Sequence, residues 1–172
     1  TYTWFYQEGV VNRTIWANFH NSNPNKQLVE LSIRRTCFYP DKPGINYLTI
    51  SGFDFSQAAT QWGAPIAEHI GMISTHWNKG WIMEKNRIHD SKGSGITLGK
   101  ERCTGHNVWS NDPSYDGSIH YLEFVFKTLR NGWNKEHIGS HIVRNNEIFN
   151  REQTGIGGSM GAAFSIIENN HI

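Results

Sequence analysis

A short pattern of apolar and polar residues recurs along this chain. Ile82–Ile88 (IMEKNRI) matches Ile142–Ile148 (IVRNNEI), and Ile166–Ile172 (IIENNHI) matches both. A weaker copy spans Leu48–Phe55. Each copy places a short apolar run of strand type before a turn-forming residue. One such run cannot bury its apolar face alone, so the repeat predicts strands that stack in equivalent positions, coil upon coil.

The match continues beyond the asparagine of each copy. Nine residues after Asn86 comes Gly95, nine after Asn146 comes Gly155, and each glycine precedes an isoleucine. Asn146 and Asn170 are 24 residues apart, the scale of one coil, whereas Asn86 and Asn146 are 60 apart, which leaves room for an insertion. Asparagine tolerates left-handed backbone at a corner and bonds neighbouring backbone. We therefore expect a polar ladder of asparagines along the stack.

These patterns predict an all-β fold, namely a right-handed parallel β-helix (a solenoid) with a helical insertion, preceded by antiparallel strands. The coils are expected over residues 48–172, with the insertion at about 102–139. Within the insertion, apolar residues at helical spacing lie between a start signal at Asp116 and a stop signal at Gly132. This spacing predicts a helix from about 118 to 131.

Residues 1–47 differ from the rest of the chain. Strand-like runs at Tyr2–Tyr6, Thr14–Phe19 and Leu28–Phe38 are separated by segments rich in turn-forming residues. We predict an antiparallel β region that leads into the coils or derives from a sandwich domain. The chain stops at Ile172, where a strand should give way to its corner, and solenoids normally cover such an edge. We therefore expect a fragment of a longer protein.

Composition narrows the classes of function. Sixteen basic against fifteen acidic residues give no electrostatic reason to bind nucleic acid or an anionic membrane, and no apolar run approaches a membrane span. Seven tryptophans, six tyrosines and nine phenylalanines are more informative. An exposed ring stacks on flat apolar partners such as sugar faces, and a buried ring fills the core. Cys37 and Cys103 are too few for a disulfide framework, and we expect lone core thiols.

The chain lacks the spacing of common cofactor and metal sites, so we expect neither. Gly155–Gly161 is rich in glycine but lacks the lysine of a phosphate loop, and it reads as a turn between coils. Glycoside hydrolysis needs two carboxyl groups about 5 to 9.5 Å apart. Glu68, Asp90 and Glu101 are the candidate carboxylates of the coils, and they form no identifiable pair. Asp90 is expected to bond a backbone turn.

Rings and hydrogen-bond donors concentrate at the ends of several predicted strands. In a parallel coil, side chains from neighbouring turns converge on one exterior face, where excursions of the chain commonly build the walls of a cleft. Each of these side chains also has a structural interpretation, as a core ring or a solvated charge. Our candidates for the wall of a sugar-binding cleft are Trp62, His76, Trp77, Lys100, Glu101 and Gln153.

Five segments of the chain resemble, in the same order, motifs of one known family. They are Gly52–Trp62, Thr75–Trp81, Gly95–Glu101, Gly132–Glu136 and Gly139–Asn146. Over about residues 14–172, the chain resembles bacterial right-handed parallel β-helix glycosidases, specifically the β-xylosidases of glycoside hydrolase family 120.

The resemblance implies a parallel β-helix that carries a β-sandwich domain, and a retaining, exo-acting hydrolase that trims xylose from xylo-oligosaccharides. It also implies that the catalytic carboxylates lie on later coils, beyond Ile172. No catalytic residue is therefore assigned, and the chain by itself is expected to be inactive. The expected partner is an oligosaccharide of the xylo-oligosaccharide kind, with neither nucleic acid nor a membrane. A homo-oligomer is compatible with the sequence, and the cellular compartment stays open.

Two other functions fit the same pattern. A non-catalytic β-helix module that binds glycans or supports a larger assembly is consistent with the missing carboxylate pair. A polysaccharide lyase would need a lysine or arginine base and usually calcium held by clustered acids. Lys100 and Arg102 are available for that role, but no acidic cluster is evident. The exact sugar and its linkage are left open by the sequence.

Overall fold

The structure is a computed structural model of the chain. It describes the backbone of residues 3–62, 70–99 and 117–172, and the side chains of these residues except 117–121. The chain divides into two compact units, Thr1–Leu31 and Ser32–Ile172. This boundary, after Leu31, differs from the predicted boundary between the antiparallel region and the coils, after residue 47. The latter stays a prediction.

The first unit contains an antiparallel hairpin. Strand β1 (Trp4–Glu8) pairs with β2 (Arg13–Ala17), and Phe5 lies opposite Trp16. The first two predicted strands therefore form, each displaced along the chain by one or two residues. Three consecutive aromatic residues, Trp4 to Tyr6, lie in β1, and every residue of both strands is exposed.

The prediction of a third strand, at Leu28–Phe38, is wrong. Over this range only Phe38 joins a ladder, through an isolated parallel bridge to Ile73. Ile33 is 82% exposed. An alternating run becomes a strand only where a neighbouring strand supplies hydrogen bonds. Among the described residues, the segment from 28 to 33 has no such neighbour.

The second unit is built mostly of short parallel strands with one described α-helix. Its strands belong to three sheets, and the chain visits the three sheets in the same order on each pass. The strands are β3 (Thr49–Ser51), β4 (Asp54–Ser56), β5 (Ile73–Ser74), β6 (Ile82–Glu84), β7 (Arg87–Ser91), β8 (Ile96–Leu98), β9 (Ile142–Arg144), β10 (Glu147–Arg151), β11 (Ile156–Gly158) and β12 (Ile166–Glu168). The helix is α1 (Gly117–Arg130), and short 3-10 turns cover Pro24–Lys26 and Met160–Ala162.

Strand pairing follows the repeat in the sequence. The sheet orders are β12-β9-β6-β3, β10-β7-β4 and β11-β8-β5, and all of these pairings are parallel. Met83 lies opposite both Ile50 and Val143, and Val143 lies opposite Ile167. Residues that match in the repeat therefore stack directly on one another.

The core consists of these stacked apolar positions. Four strands each contribute a fully buried side chain. They are Met83 in β6, Ile88 in β7, Ile96 in β8 and Val143 in β9. A strand alternates its side chains between two faces, so the inward set packs against the sets above and below. Burying one such side chain stabilises the fold by about 1.5 to 3 kcal/mol.

The predicted asparagine ladder is confirmed. Asn86 Nδ2 donates to Asn146 Oδ1 at 3.1 Å, and Asn146 Nδ2 donates to Asn170 Oδ1 at 2.9 Å. Each of these oxygens also accepts from the backbone N–H of the preceding ladder asparagine, at 3.1 Å in both cases. Asn146 Nδ2 donates as well to Met83 O at 3.0 Å. The buried amides are thus satisfied by the neighbouring coils.

The left-handed backbone lies one residue before the position that we predicted. The ladder asparagines are absent from the described residues with positive φ. The preceding residues Lys85, Asn145 and Asn169 have φ of 57°, 57° and 52°. The chain therefore turns just before each ladder asparagine, and the asparagine amide points along the stack.

A buried histidine belongs to the same interior. Trp81 and His141 come directly before β6 and β9, and both are fully buried. Trp81 N donates to His141 Nδ1 at 3.1 Å, and His141 N donates to Ser165 Oγ at 3.0 Å. Burial lowers the pKa of His141 to about 4. The ring is therefore neutral at pH 7.

The connection between β8 and β9 is the longest in the second unit and contains α1. The helix agrees with the predicted range 118–131 to within one residue at each end. Residues 102–116 of the predicted insertion lie outside the described residues. Among the described side chains of the helix, Phe124 and Thr128 are buried, one turn apart, and Leu122, Phe126 and Leu129 are exposed.

Three glycines lie where the connection between β8 and β9 leaves the stack of strands and returns to it. Gly161 N donates to Gly99 O at 3.0 Å. A Cβ atom built on Gly139 would lie 3.4 Å from Gly161 O and would clash with Ala163 O. Both ends of the connection therefore meet beside Gly161. Trp133 Nε1 fastens the returning segment by donating to Met160 O at 2.8 Å.

Cys37 is exposed, so its prediction as a core thiol is wrong. It lies before the first complete pass of the chain, where few strands surround it, and its sulfur is 3.9 Å from Ser56 O. Cys103 lies outside the described residues. Within the described parts of the chain, no helix is long and apolar enough to cross a membrane.

Candidate functional site

A cavity of about 550 Å³ opens at the ends of β4, β7 and β10. Three successive passes of the chain contribute to it, because Ser56 lies opposite His89 and His89 lies opposite Phe149. The segments that follow these strands are therefore neighbours. The lining residues are Ala59, Thr60, Gln61, Trp62, Lys92, Glu152 and Gln153.

The first pass has a longer connection at this corner than the second. Partner residues in β4 and β7 are 33 positions apart, whereas Ile73 in β5 pairs with Ile96 in β8, 23 positions later. The connection from β4 to β5 therefore has ten more residues than the connection from β7 to β8. Trp62 belongs to this extra length, and residues 63–69 lie outside the described residues.

The cavity combines one exposed ring with polar groups. Trp62 is 68% exposed although it is a large apolar residue. Lys92 Nζ and Glu152 Oε2 form an exposed ion pair at 3.0 Å that joins the second and third passes. Gln153 adds an amide next to this pair. An aromatic face beside donors and acceptors suits a sugar, which has an apolar face and a rim of hydroxyl groups.

The structure brings together two of the six predicted wall residues, Trp62 and Gln153. His76 and Trp77 are each only 6% exposed and lie outside the cavity lining. The His76 ring packs against Tyr39 with centroids 5.0 Å apart. Their predicted role in sugar binding has no support from this cavity. Two further predicted residues, Lys100 and Glu101, lie outside the described residues.

Two lining residues, Lys92 and Glu152, were not predicted. Both were available from the repeat, because they are 60 residues apart, which is the spacing of Asn86 and Asn146. Residues 60 apart lie at equivalent positions on the second and third passes of the chain. Opposite charges at such a pair indicate a bridge between two coils.

A second polar cluster covers the outer face of β4, β7 and β10. His89 Nε2 is 2.7 Å from Asp54 Oδ1, and His89 Nδ1 is 2.7 Å from Asp90 Oδ2. The His89 ring stacks on Phe149 with centroids 4.8 Å apart. The hydrogen bond to Asp90, followed by that to Asp54, raises the pKa of His89. This cluster ties three strands together.

Asp90 does not bond a backbone turn as predicted. Its carboxylate bonds the His89 ring, and it accepts from Asn150 Nδ2 at 3.2 Å. These two hydrogen bonds lower the pKa of Asp90, with that from His89 first. The side chain faces the next coil because the residue itself adopts a positive φ of 54°.

The described residues contain no group of three or more His, Cys, Asp or Glu side chains placed to hold a metal ion. Glu152 is the one carboxylate among the described lining residues of the cavity, and it is paired with Lys92. Glu68 lies outside the described residues. The described part of the cavity thus has the features of a binding surface and shows no pair of opposed carboxylates.

The chain was compared with known proteins. No family model and no curated protein matches it. A solved structure of XylC in complex with xylose matches it with a TM-score of 0.94 and 48% sequence identity. The match covers 99% of this chain and 27% of the XylC chain. This chain therefore spans about a quarter of the length of that protein.

Proposed function

We propose that this chain is part of a glycoside hydrolase that acts on xylo-oligosaccharides, as a retaining, exo-acting β-xylosidase, and that its second unit is a right-handed parallel β-helix. The observation that carries the proposal is the match to a xylose-bound structure at 48% identity over 99% of the chain. The regular order of the three parallel sheets supports the β-helix.

In this proposal the cavity forms one wall of the sugar-binding cleft. Trp62 offers its ring to the apolar face of a xylose unit. Gln153 and Lys92 donate hydrogen bonds to sugar hydroxyls, and Glu152 accepts from one. Xylose is uncharged, so the ion pair between Lys92 and Glu152 supplies directional polar groups without a net charge in the cavity.

The reaction itself needs groups beyond the described cavity. A retaining hydrolase uses one carboxyl group to protonate the leaving oxygen and a second carboxylate to attack the anomeric carbon. Glu152 is held by Lys92 and has no opposed carboxylate in the described lining. Following the resemblance to family 120 β-xylosidases, we place the catalytic pair in parts of the full-length protein outside this chain, and we expect the isolated chain to be inactive.

The test is hydrolysis of aryl β-xyloside by the full-length gene product, with aryl β-glucoside as the comparison substrate. We expect Trp62→Ala to raise KM about 10-fold, because stacking on one ring contributes on the order of 1 kcal/mol or more. The matched control is Trp4→Ala, since Trp4 has nearly the same exposure but lies in the first unit. An unchanged KM in Trp62→Ala would remove the ring from the binding site.

A second candidate is a non-catalytic module that binds glycans. The single described carboxylate in the cavity favours it. Tight binding of xylo-oligosaccharides by the full-length protein without hydrolysis of any aryl glycoside would support the module and contradict the hydrolase.

A further inference from the structure

We infer that Thr60 and Gly93 form a positioning pair that fixes the Trp62 ring at the cavity. This inference rests on the proposed role of Trp62 in sugar binding. Thr60 lies on the first pass of the chain, and Gly93 lies on the second, at the equivalent position after its strand. Gln153 occupies the equivalent position on the third pass. The pair therefore lies within the stack that forms the cavity.

The Thr60 side chain is an anchor rather than a surface group. Thr60 is 1% exposed, and its Oγ1 accepts a short hydrogen bond from the Gly93 N–H. The backbone beside it is also held, because Lys92 N donates to Ala58 O at 3.4 Å and Ala59 N donates to Arg34 O at 2.8 Å. The segment is thus fixed on both sides up to Thr60.

Gly93 permits this close approach because it has no side chain. A Cβ atom built there would lie 2.9 Å from Thr60 Oγ1 and 2.9 Å from Gln61 O. The second of these atoms is backbone, so an alanine would push the segment that leads to Trp62 outward. Ser91 Oγ donates to Gly93 O at 2.8 Å and holds the glycine in place.

Trp62 depends on this anchor because little else described holds it. Its side chain is 68% exposed, and it follows Thr60 by two residues at the start of the connection that is ten residues longer on this pass. If the Trp62 ring is mobile in the free protein, sugar binding loses affinity because the ring must be immobilised. A ring that is already anchored avoids part of this entropic cost. The anchor should therefore act on substrate affinity.

The experiment compares Thr60→Val, Thr60→Ser and Gly93→Ala in the full-length gene product. Valine keeps the shape of threonine but cannot accept the hydrogen bond, whereas serine retains the hydroxyl. We expect Thr60→Val and Gly93→Ala to raise KM about 5- to 10-fold with kcat nearly unchanged, and Thr60→Ser to restore KM toward the wild-type value. Thr49→Val, on an exposed strand position, is the matched control.

A double-mutant cycle separates positioning from general stability. If Thr60 acts through the ring, Thr60→Val has no further effect on KM in a Trp62→Ala background. An equal effect in both backgrounds, or an unchanged KM in Thr60→Val, would overturn the inference.

Hydrogen exchange distinguishes failure of this inference from failure of the proposed function. We expect peptides covering residues 58–62 to exchange about 10-fold faster in Thr60→Val than in the wild type, whatever sugar the protein uses. Faster exchange in Thr60→Val, together with a wild-type protein that hydrolyses no xyloside, would contradict the hydrolase alone. Unchanged exchange would overturn the positioning pair.

Discussion

The buried histidine and the asparagine ladder show how single residues serve the stack. The ladder was predictable because a repeated asparagine at a strand corner has one effective way to satisfy its amide, by bonding the coils on either side. No comparable pattern in the sequence predicted the burial of His141. Its position matches Trp81 in the repeat, and only the packed structure reveals that an ionisable ring replaces an apolar one there.

This replacement makes the fold sensitive to acid. The folded state holds the pKa of His141 at about 4, below its ordinary value of about 6.5. The unfolded chain therefore binds more protons between these values, so stability is present above pH 6.5 and is lost as the pH falls toward 4. The full loss amounts to about 3 kcal/mol.

The measurement is the urea-unfolding midpoint of the full-length protein between pH 7.5 and 4. We expect His141→Asn, which keeps an acceptor for Trp81 N, to weaken the dependence on pH in that range. His137→Asn, at an exposed position outside the stack, is the control. The same pH dependence in wild type and His141→Asn would show that the buried ring does not determine it.

The site was less predictable than the ladder at this scale. Trp62 and Gln153 line the cavity, but His76 and Trp77, which were chosen for their position at a strand end, are buried. Sequence spacing gives the strand to which a residue belongs. It does not show which side of the corner faces solvent, because left-handed residues such as His76, with φ of 54°, redirect the chain there.

At the scale of elements, strands β4, β7 and β10 carry a cluster of charges across their outer face. Arg87 lies between Asp54 and Glu147 at 3.0 Å from each, and His89 lies between Asp54 and Asp90. The arginine pairs are exposed, and such pairs stabilise a protein by about 0 to 1 kcal/mol. The histidine is different because its charge depends on pH.

Protonated His89 should hold these strands together. Its pKa is raised in the folded state, so its contribution is fully present below the unfolded pKa of about 6.5 and is lost as the pH rises through the folded value. We expect the difference in stability between wild type and His89→Gln to be largest near pH 5.5 and to shrink toward pH 9. The measurement is the unfolding midpoint of both proteins across this range.

Arg87→Gln is the companion variant, since Arg87 keeps its charge throughout. Its effect on stability should be small and nearly independent of pH. A difference between wild type and His89→Gln that grows above pH 7 would contradict the assignment of the cluster to the protonated ring.

The elements themselves were predicted with unequal success. Helix α1 was predicted to within a residue, because its apolar spacing and its end signals are local properties of the sequence. Leu28–Phe38 has equally clear strand alternation but no partner strand along the segment from 28 to 33, and a partner is not a local property. The strands of the stack succeeded because each repeat copy supplies a partner for the next.

For the whole molecule, the repeat determines the registers and the connections determine the cavity. Strand pairing at an offset of 60 residues could be read from the matching Asn86 and Asn146, and pairing at an offset of 33 from the weaker copy at Leu48–Phe55. The ten extra residues after β4 could not, because a connection has no periodic pattern to read. The cavity lies at that connection, and this is why the fold was more predictable than the site.

The longest connection should be removable without loss of the stack. We expect replacement of residues 100–138 by a short Gly-Ser-Gly linker in the full-length protein to leave the parallel pairing intact, because Gly99 and Gly139 both meet Gly161. Hydrogen exchange checks this at the amides of Ile96 and Ile142, which donate to neighbouring coils. Both amides should stay protected.

Deletion of Lys85 alone is the contrasting variant. It removes one residue between two strands and turns the side chains that follow toward the wrong face. We expect this deletion to abolish protection at both amides, although it removes far fewer residues than the replacement of 100–138. Loss of protection after the long replacement would show that the connection itself stabilises the coils.

The meeting of Gly99, Gly139 and Gly161 also bears on how such a gene can change over time. A sequence spliced in or out at this junction begins and ends at nearly the same point in space, so neighbouring strands are not displaced by its length. Relatives should therefore differ most in size at this corner, while the strand sequences on either side stay nearly constant in length. The junction is thus a point at which a segment can be exchanged without displacing the strands on either side.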